Sequence, residues 1–65
     1  MKEFLVCKIL SNGSYDEFGI PVIAETDADD ERVMRLFGIQ LGYSMKHIFA
    51  DIYENQYGVR YGIRL

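Results

Sequence analysis

Sixty-five residues, 49% hydrophobic and 26% charged, fit one small domain, residues 1–65, of ordinary globular composition, which argues against disorder. A chain of this size buries only about 60% of the surface it exposes when unfolded, so its core is marginal and leaves little room for a deep cleft. A net charge of −3 argues against affinity resting on bulk phosphate neutralisation, and a single cysteine with a single histidine excludes an internal disulfide and a Cys/His structural zinc site.

The first apolar run, FLVCKIL, is short and interrupted by Lys8, so neither a leader nor a membrane span is expected, and the expected setting is the reducing cytoplasm. EFLVCKIL and GIPVIAE flank the turn-rich SNGSYDEF, in which Asn12-Gly13 is a hairpin signal because both residues tolerate positive φ. A two-residue turn there pairs Ser11 with Ser14, Leu10 with Tyr15, Lys8 with Glu17 and Cys7 with Phe18. That register gathers Leu5, Cys7, Ile9, Phe18 and Ile20 on one face. Pro21 cannot donate to a ladder, so the second strand is expected at an edge or with a bulge near Gly19-Ile20-Pro21.

The period changes in TDADDERVMRLFGIQLGYS, which reads as a helix. Thr26 or Asp27 can cap it, and Asp29, Asp30 and Glu31 fill a first turn that favours negative charge. Val33, Met34, Phe37 and Leu41 form an apolar stripe that Leu36, Ile39 and Tyr43 broaden, and Gly42 is a natural stop. Gly38 falls on the opposite face with Glu31 and Arg35, where it costs roughly 1 kcal/mol of helix propensity without a visible return, so an early end at Gly38 is the alternative.

KHIFADIYE and YGVRYGIRL complete the chain as two further strands, the second built on a YGVR/YGIR repeat. Alternation sets Tyr57, Val59, Tyr61, Ile63 and Leu65 on one side, and Gly58, Arg60, Gly62 and Arg64 on the other. A loop of two or four residues places Ile52 opposite Val59, Ala50 opposite Tyr61 and Ile48 opposite Ile63. On the reverse, Asp51 then meets Arg60, Phe49 covers Gly62 and Tyr53 covers Gly58. The repeat resembles the glycine–aromatic alternation of one RNA-recognition-motif strand, but the chain is too short for that fold's two βαβ units and its element order differs. The fold expected is α+β: ββαββ, a four-stranded, mainly antiparallel sheet of order 2-1-3-4 with one helix on one face and YGVRYGIRL at an exposed edge.

An enzyme needs a nucleophile and base, paired acids, a metal set or a cofactor loop in a sheltered site, and the sequence offers none of these combinations. No catalytic, cofactor or metal site is expected, and Cys7 reads as a small core hydrophobe. An EF-hand counted from Asp27 would place Arg32 where Gly is needed and Gly38 where Glu is needed, which excludes that calcium loop. The cluster above background is Phe49, Tyr53, Arg60 and Arg64 with His47 nearby, because aromatic and guanidinium groups on an exposed sheet face dominate interface hot spots and also stack bases. Glu25, Asp27, Asp29, Asp30 and Glu31 form a second candidate, an acidic patch suited to a basic surface. The expected function is a small non-enzymatic inhibitor or regulator of a protein partner, of the kind found among viral or mobile-element accessory proteins. The alternatives are a single-stranded nucleic-acid-binding module and a homodimer or larger homo-oligomer formed by edge pairing.

Overall fold

A computed structural model describes residues 1–64 and gives the order β1 (Lys2–Ile9), β2 (Tyr15–Ala24), α1 (Asp30–Leu41), β3 (Lys46–Phe49), β4 (Ile52–Glu54) and β5 (Arg60–Arg64). The strands form one antiparallel sheet in the order β2-β1-β5-β4-β3, with α1 on one face. The α+β class with a single helix is as the sequence implies, but the strand count is five and the order differs. KHIFADIYE does not stay one strand: it folds on itself at Ala50-Asp51, Phe49 pairing Ile52 and His47 pairing Tyr53. The C-terminal strand is therefore not an edge. It pairs β1 on one side and β4 on the other, and β2 and β3 are the edges. Leu65, expected on the apolar side of the last strand, lies outside the described residues.

The expected β1–β2 register is also corrected. Cys7 lies opposite Gly19, Val6 opposite Ile20 and Leu5 opposite Pro21, while Ile9 lies opposite Tyr15, so extra β2 residues bulge between the two stretches. The turn and this bulge together are the reason. Leu10 N–H donates to the Ser14 carbonyl and Gly13 N–H to the Leu10 carbonyl, a three-residue loop with Gly13 at φ 86° in place of a two-residue one. Asn12 Oδ1 holds it by accepting from Ser14 N–H at 3.0 Å and Ser14 Oγ at 2.6 Å. The β4–β5 connection repeats this geometry, Asn55 N–H donating to the Val59 carbonyl and Gly58 N–H, at φ 80°, to the Asn55 carbonyl. The Asn55 side chain is buried, and its Oδ1 accepts from Tyr57 N–H at 2.9 Å and Val59 N–H at 3.0 Å.

These registers turn β1 over. Phe4 and Val6 of β1 and Ile20, Val22 and Ala24 of β2 pack toward the helix with Tyr61 and Ile63 of β5 and Tyr53 of β4. Leu5, Cys7 and Ile9, expected there, lie on the far face, and Phe18 is exposed. From the helix come Val33, Met34 and Phe37, all fully buried, with Leu36 partly so; Ile39 and Leu41 of the expected stripe are exposed. Phe37 is the centre of the core, its ring 4.9 Å from that of Tyr61 and 6.1 Å from that of Tyr43.

The helix begins later than expected and ends at Gly42, the later of the two ends that the sequence offers. Asp29, not Thr26 or Asp27, is the N-cap, accepting from Arg32 N–H at 2.9 Å. The helix passes Gly38 and closes at Gly42, where the chain reverses and Tyr43 N–H donates back to the Gly38 carbonyl at 2.8 Å. Gly38 is buried, which gives the packing reason that its spacing conceals: a Cβ there would stand 2.6 Å from the Tyr43 carbonyl oxygen and 3.1 Å from Met45 Cγ. The close crossing lets Tyr43 and Met45 cover the part of the core beside the helix. Gln56, in the β4–β5 turn, fixes the crossing from outside, its Oε1 accepting from Ser44 N–H at 2.9 Å.

Gly38→Ala should destabilise the protein by about 1–3 kcal/mol in urea unfolding, because overpacking against backbone outweighs roughly 1 kcal/mol of helix propensity. An equally or more stable variant would show that the crossing relaxes without cost. The Tyr61, Tyr53 and Tyr15 hydroxyls are all pushed above their ordinary value of 10.0, chiefly by burial, with the neighbouring Tyr43 hydroxyl adding to the shift of Tyr61. The unfolded chain therefore gives up these protons first, so stability is intact below pH about 10 and falls as pH rises past it. Urea midpoints that stay level through that window would count against the buried placement of Tyr53 and Tyr61.

Candidate binding face

Among the described residues, the face of the sheet away from α1 has no second layer. Alternation from the buried Tyr61 and Ile63 puts Arg60, Gly62 and Arg64 of β5 on it, beside Leu5, Cys7 and Ile9 of β1, Gly19, Pro21 and Ile23 of β2, and Ile52 of β4. Pro21 is exposed and Ile23 is 55% exposed, and Phe49 of β3, 54% exposed, extends the apolar surface at the opposite edge. The outcome is a largely apolar sheet surface that carries the guanidinium groups of Arg60 and Arg64 and, opposite Ile23, the exposed Glu3.

Its floor is closed at one point by its own aromatic ring. Tyr15 lies over Gly62, where an added Cβ would come 2.8 Å from Tyr15 Cε1, 3.1 Å from Tyr15 Oη and 3.4 Å from Ile9 Cδ1. Only glycine leaves room for the ring so close to the backbone. Cys7, paired with Gly62 on one side and Gly19 on the other, is fully buried beneath this cover. Tyr15 replaces Phe49 as the ring on Gly62, and the other expected cover is absent too, since a Cβ on Gly58 would meet nothing within 4 Å.

The first candidate cluster divides between the two faces. Phe49, Arg60 and Arg64 share the helix-free face, and the Arg60 guanidinium carbon stands 6.0 Å from the Phe49 ring centroid. Arg60 pairs with Glu54 at 3.3 Å in place of the expected Asp51, because the observed register puts Glu54 opposite Arg60 and Tyr53 opposite Tyr61. Arg64 Nη1 donates to the Glu17 carbonyl at 3.3 Å. Tyr53 leaves the cluster: it is buried in the core on the helix side, and His47, its cross-strand partner, stacks at 5.0 Å between ring centroids on that same side. The His47 Nε2 lies 2.7 Å from the carbonyl oxygen of Ala50, a residue held at φ 48°, so its visible task is at the β3–β4 turn.

The acidic patch is largely occupied with the helix start. Asp29 caps α1, Glu25 binds Arg32 through two contacts of 2.9 and 3.3 Å, and Glu31 approaches Arg35 at 3.5 Å. The Arg32 guanidinium holds the Glu25 carboxyl below the usual carboxylate range. Asp27 and Asp30 remain exposed beside them. Among the described residues no group of three or more His, Cys, Asp or Glu could hold a metal ion, and no helix is long and apolar enough to cross a membrane.

Tyr15 and the far-face residues Leu5, Ile9, Pro21 and Ile23 are the site residues that sequence reasoning missed. The signal is the even-numbered pair Phe4 and Val6 of β1, as apolar as Leu5, Cys7 and Ile9, which joins Ile20, Val22 and Ala24 of β2 on the helix side. Tyr15→Ala should uncover Cys7, raising its rate of reaction with a water-soluble disulfide reagent roughly tenfold beyond what any loss of global stability explains. An unchanged rate would mean that other side chains seal the thiol. Comparison with family models, with curated proteins and with solved structures returns no match to this chain, so the geometry above is the ground for a functional reading.

Proposed function

We propose that this protein is a non-enzymatic interaction module, an inhibitor or regulator, whose helix-free sheet face docks on a partner protein. The observation that carries the reading is the composition of that face. A solvent-facing sheet normally alternates apolar-in with polar-out, whereas here the side of β1 and β2 away from the helix carries Leu5, Cys7, Ile9, Pro21 and Ile23, with Glu3 charged among them. Contiguous exposed apolar surface of this kind marks interaction sites. Phe49, Arg60 and Arg64 supply the residue types that concentrate binding energy at interfaces, with the guanidinium groups able to take carboxylates from above.

The net charge of −3 and the small number of cations on this face weigh toward protein and away from a nucleic-acid backbone. Edge pairing through the C-terminal strand is withdrawn as a route to a homodimer, since β5 is hydrogen-bonded on both sides. The β2 edge is blunted as well, by Pro21 and by the Gln40 side chain, whose Nε2 donates to the Pro21 carbonyl at 3.1 Å.

The double variant Arg60→Ala with Arg64→Ala should keep its thermal midpoint within a few degrees, because a partly exposed ion pair is worth at most about 1 kcal/mol. Its affinity for a partner recovered with the wild-type protein should fall at least tenfold, about 1.4 kcal/mol. Ile39→Ala, on the outer face of the helix, is the control and should leave affinity unchanged. Unchanged affinity in the double variant together with loss in the control would move the site to the helix, and a nuclease-sensitive complex would replace the protein partner by nucleic acid.

A further inference from the structure

At one end of the helix-free face Glu3, Leu5, Pro21, Ile23 and Arg64 form a single patch. Glu3 lies opposite Ile23, and Leu5 lies opposite Pro21 on one side and Arg64 on the other. Leu5 is half-buried and the other four are exposed. The patch thus carries one carboxylate and one guanidinium beside apolar side chains. Neither charge has an ion pair among the described residues, and Arg64 donates to the Glu17 carbonyl at 3.3 Å. Arg60, further along the same face, is already taken by Glu54.

We infer that this face is covered by a second copy of the chain, two sheets stacked face to face about a two-fold axis, so that a partner protein docks by displacing one copy. The inference rests on the docking reading for its surface and names what occupies it when the partner is absent. A two-fold axis can set Glu3 of each copy against Arg64 of the other, so the patch is complementary to itself and one geometry makes the same ion pair twice. Leu5, Pro21 and Ile23 are then buried against the opposing sheet at the spacing of about 10 Å found in β-sandwiches. The area suffices for a dimer of modest affinity. Five strands at about 4.8 Å spacing give a face on the order of 500–600 Å² per copy, or roughly 1,100 Å² in all, near the lower end for a specific interface. Stability points the same way: a domain of 65 residues with one cysteine has no internal disulfide, and association is a common means by which so small a core gains stability. Each chain carries −3, and this stacking also keeps like charges apart, because α1, with Asp29 at its cap and Asp30 and Glu31 in its first turn, lies on the outer side of each sheet.

The test is sedimentation equilibrium of the wild-type protein and of two charge-reversed variants, Glu3→Arg and Arg64→Glu, each alone and then in equimolar mixture. The wild type should dimerise with a dissociation constant on the order of 10–100 µM, as an interface of this size allows. Each variant alone sets like charges against each other twice and should dimerise at least about tenfold more weakly. The mixture should recover association to within about threefold of wild type, because every mixed dimer holds two pairs of opposite charge. Mixing cannot rescue a variant that has merely unfolded or lost a contact within its own chain, so recovery reads the pairing between copies. A wild type that stays monomeric at about 1 mM overturns the inference and leaves the docking reading to be decided by the arginine double variant. A dimer that neither reversal weakens, or that mixing fails to restore, is formed through another surface and overturns it as well.

Discussion

The pairing of the first strand with the last is the constraint on which the rest of this structure depends. β5 enters between β1 and β4, antiparallel to both, and joins two hairpins that would otherwise be separate ribbons, too small to be stable alone. Its Tyr61 and Ile63 complete the wall against which Phe37 packs, and its Gly62 opens the other face to Tyr15. One strand thus serves the core and the exposed face together. Closing the chain end to end is entropically expensive, since β1 and β5 pair across most of its length, and the pairing holds because both faces of the joined sheet become apolar at once.

The helix occupies only one of these faces. α1 lies over β1 and β2, and the tight reversal over Gly38 brings Tyr43 and Met45 across the rest of the core, so the helix side is sealed with a short chain. Among the described residues no helix lies on the other side. The protein instead places Tyr15 over Gly62, buries Cys7 beneath, and leaves Pro21, Ile23 and Phe49 at the surface with Arg60 and Arg64 above them. A domain with a marginal core has little stability to spare for exposed apolar surface, and the docking proposed above would cover it.

The two turns show how a local motif can be right in kind and wrong in detail. Asn12-Gly13 does make a hairpin, but Gly13 serves as the left-handed residue of a three-residue loop. The added loop residue and the extra β2 residues that bulge between the Ile9–Tyr15 and Cys7–Gly19 pairs together moved the expected cross-strand pairs, setting Leu5 and Cys7 with Pro21 and Gly19 in place of Ile20 and Phe18. The same loop at Asn55–Val59 set Tyr53 against Tyr61 in place of the expected Ile52 against Val59, which carried Tyr53 and His47 away from Arg60 and Arg64. Phe49 stayed with the arginines because the turn at Ala50-Asp51 returned β3 beside β4.

By itself the sequence determined the α+β class, the single helix with its buried Val33, Met34 and Phe37, the hairpin at Asn12-Gly13, and the division of β5 into a Tyr61/Ile63 face and an Arg60/Arg64 face. These follow from periodicity and local turn chemistry, which act between near neighbours and are written in consecutive residues. Tertiary structure alone decided the strand order, the splitting of KHIFADIYE, the place of Gly38 beneath the Tyr43 carbonyl, and which alternation of β1 met the helix. The apolar residues of β1 and β2 satisfy either face equally well, so the choice depended on which strand came to lie beside β1, an interaction between residues far apart in the chain that no local pattern records.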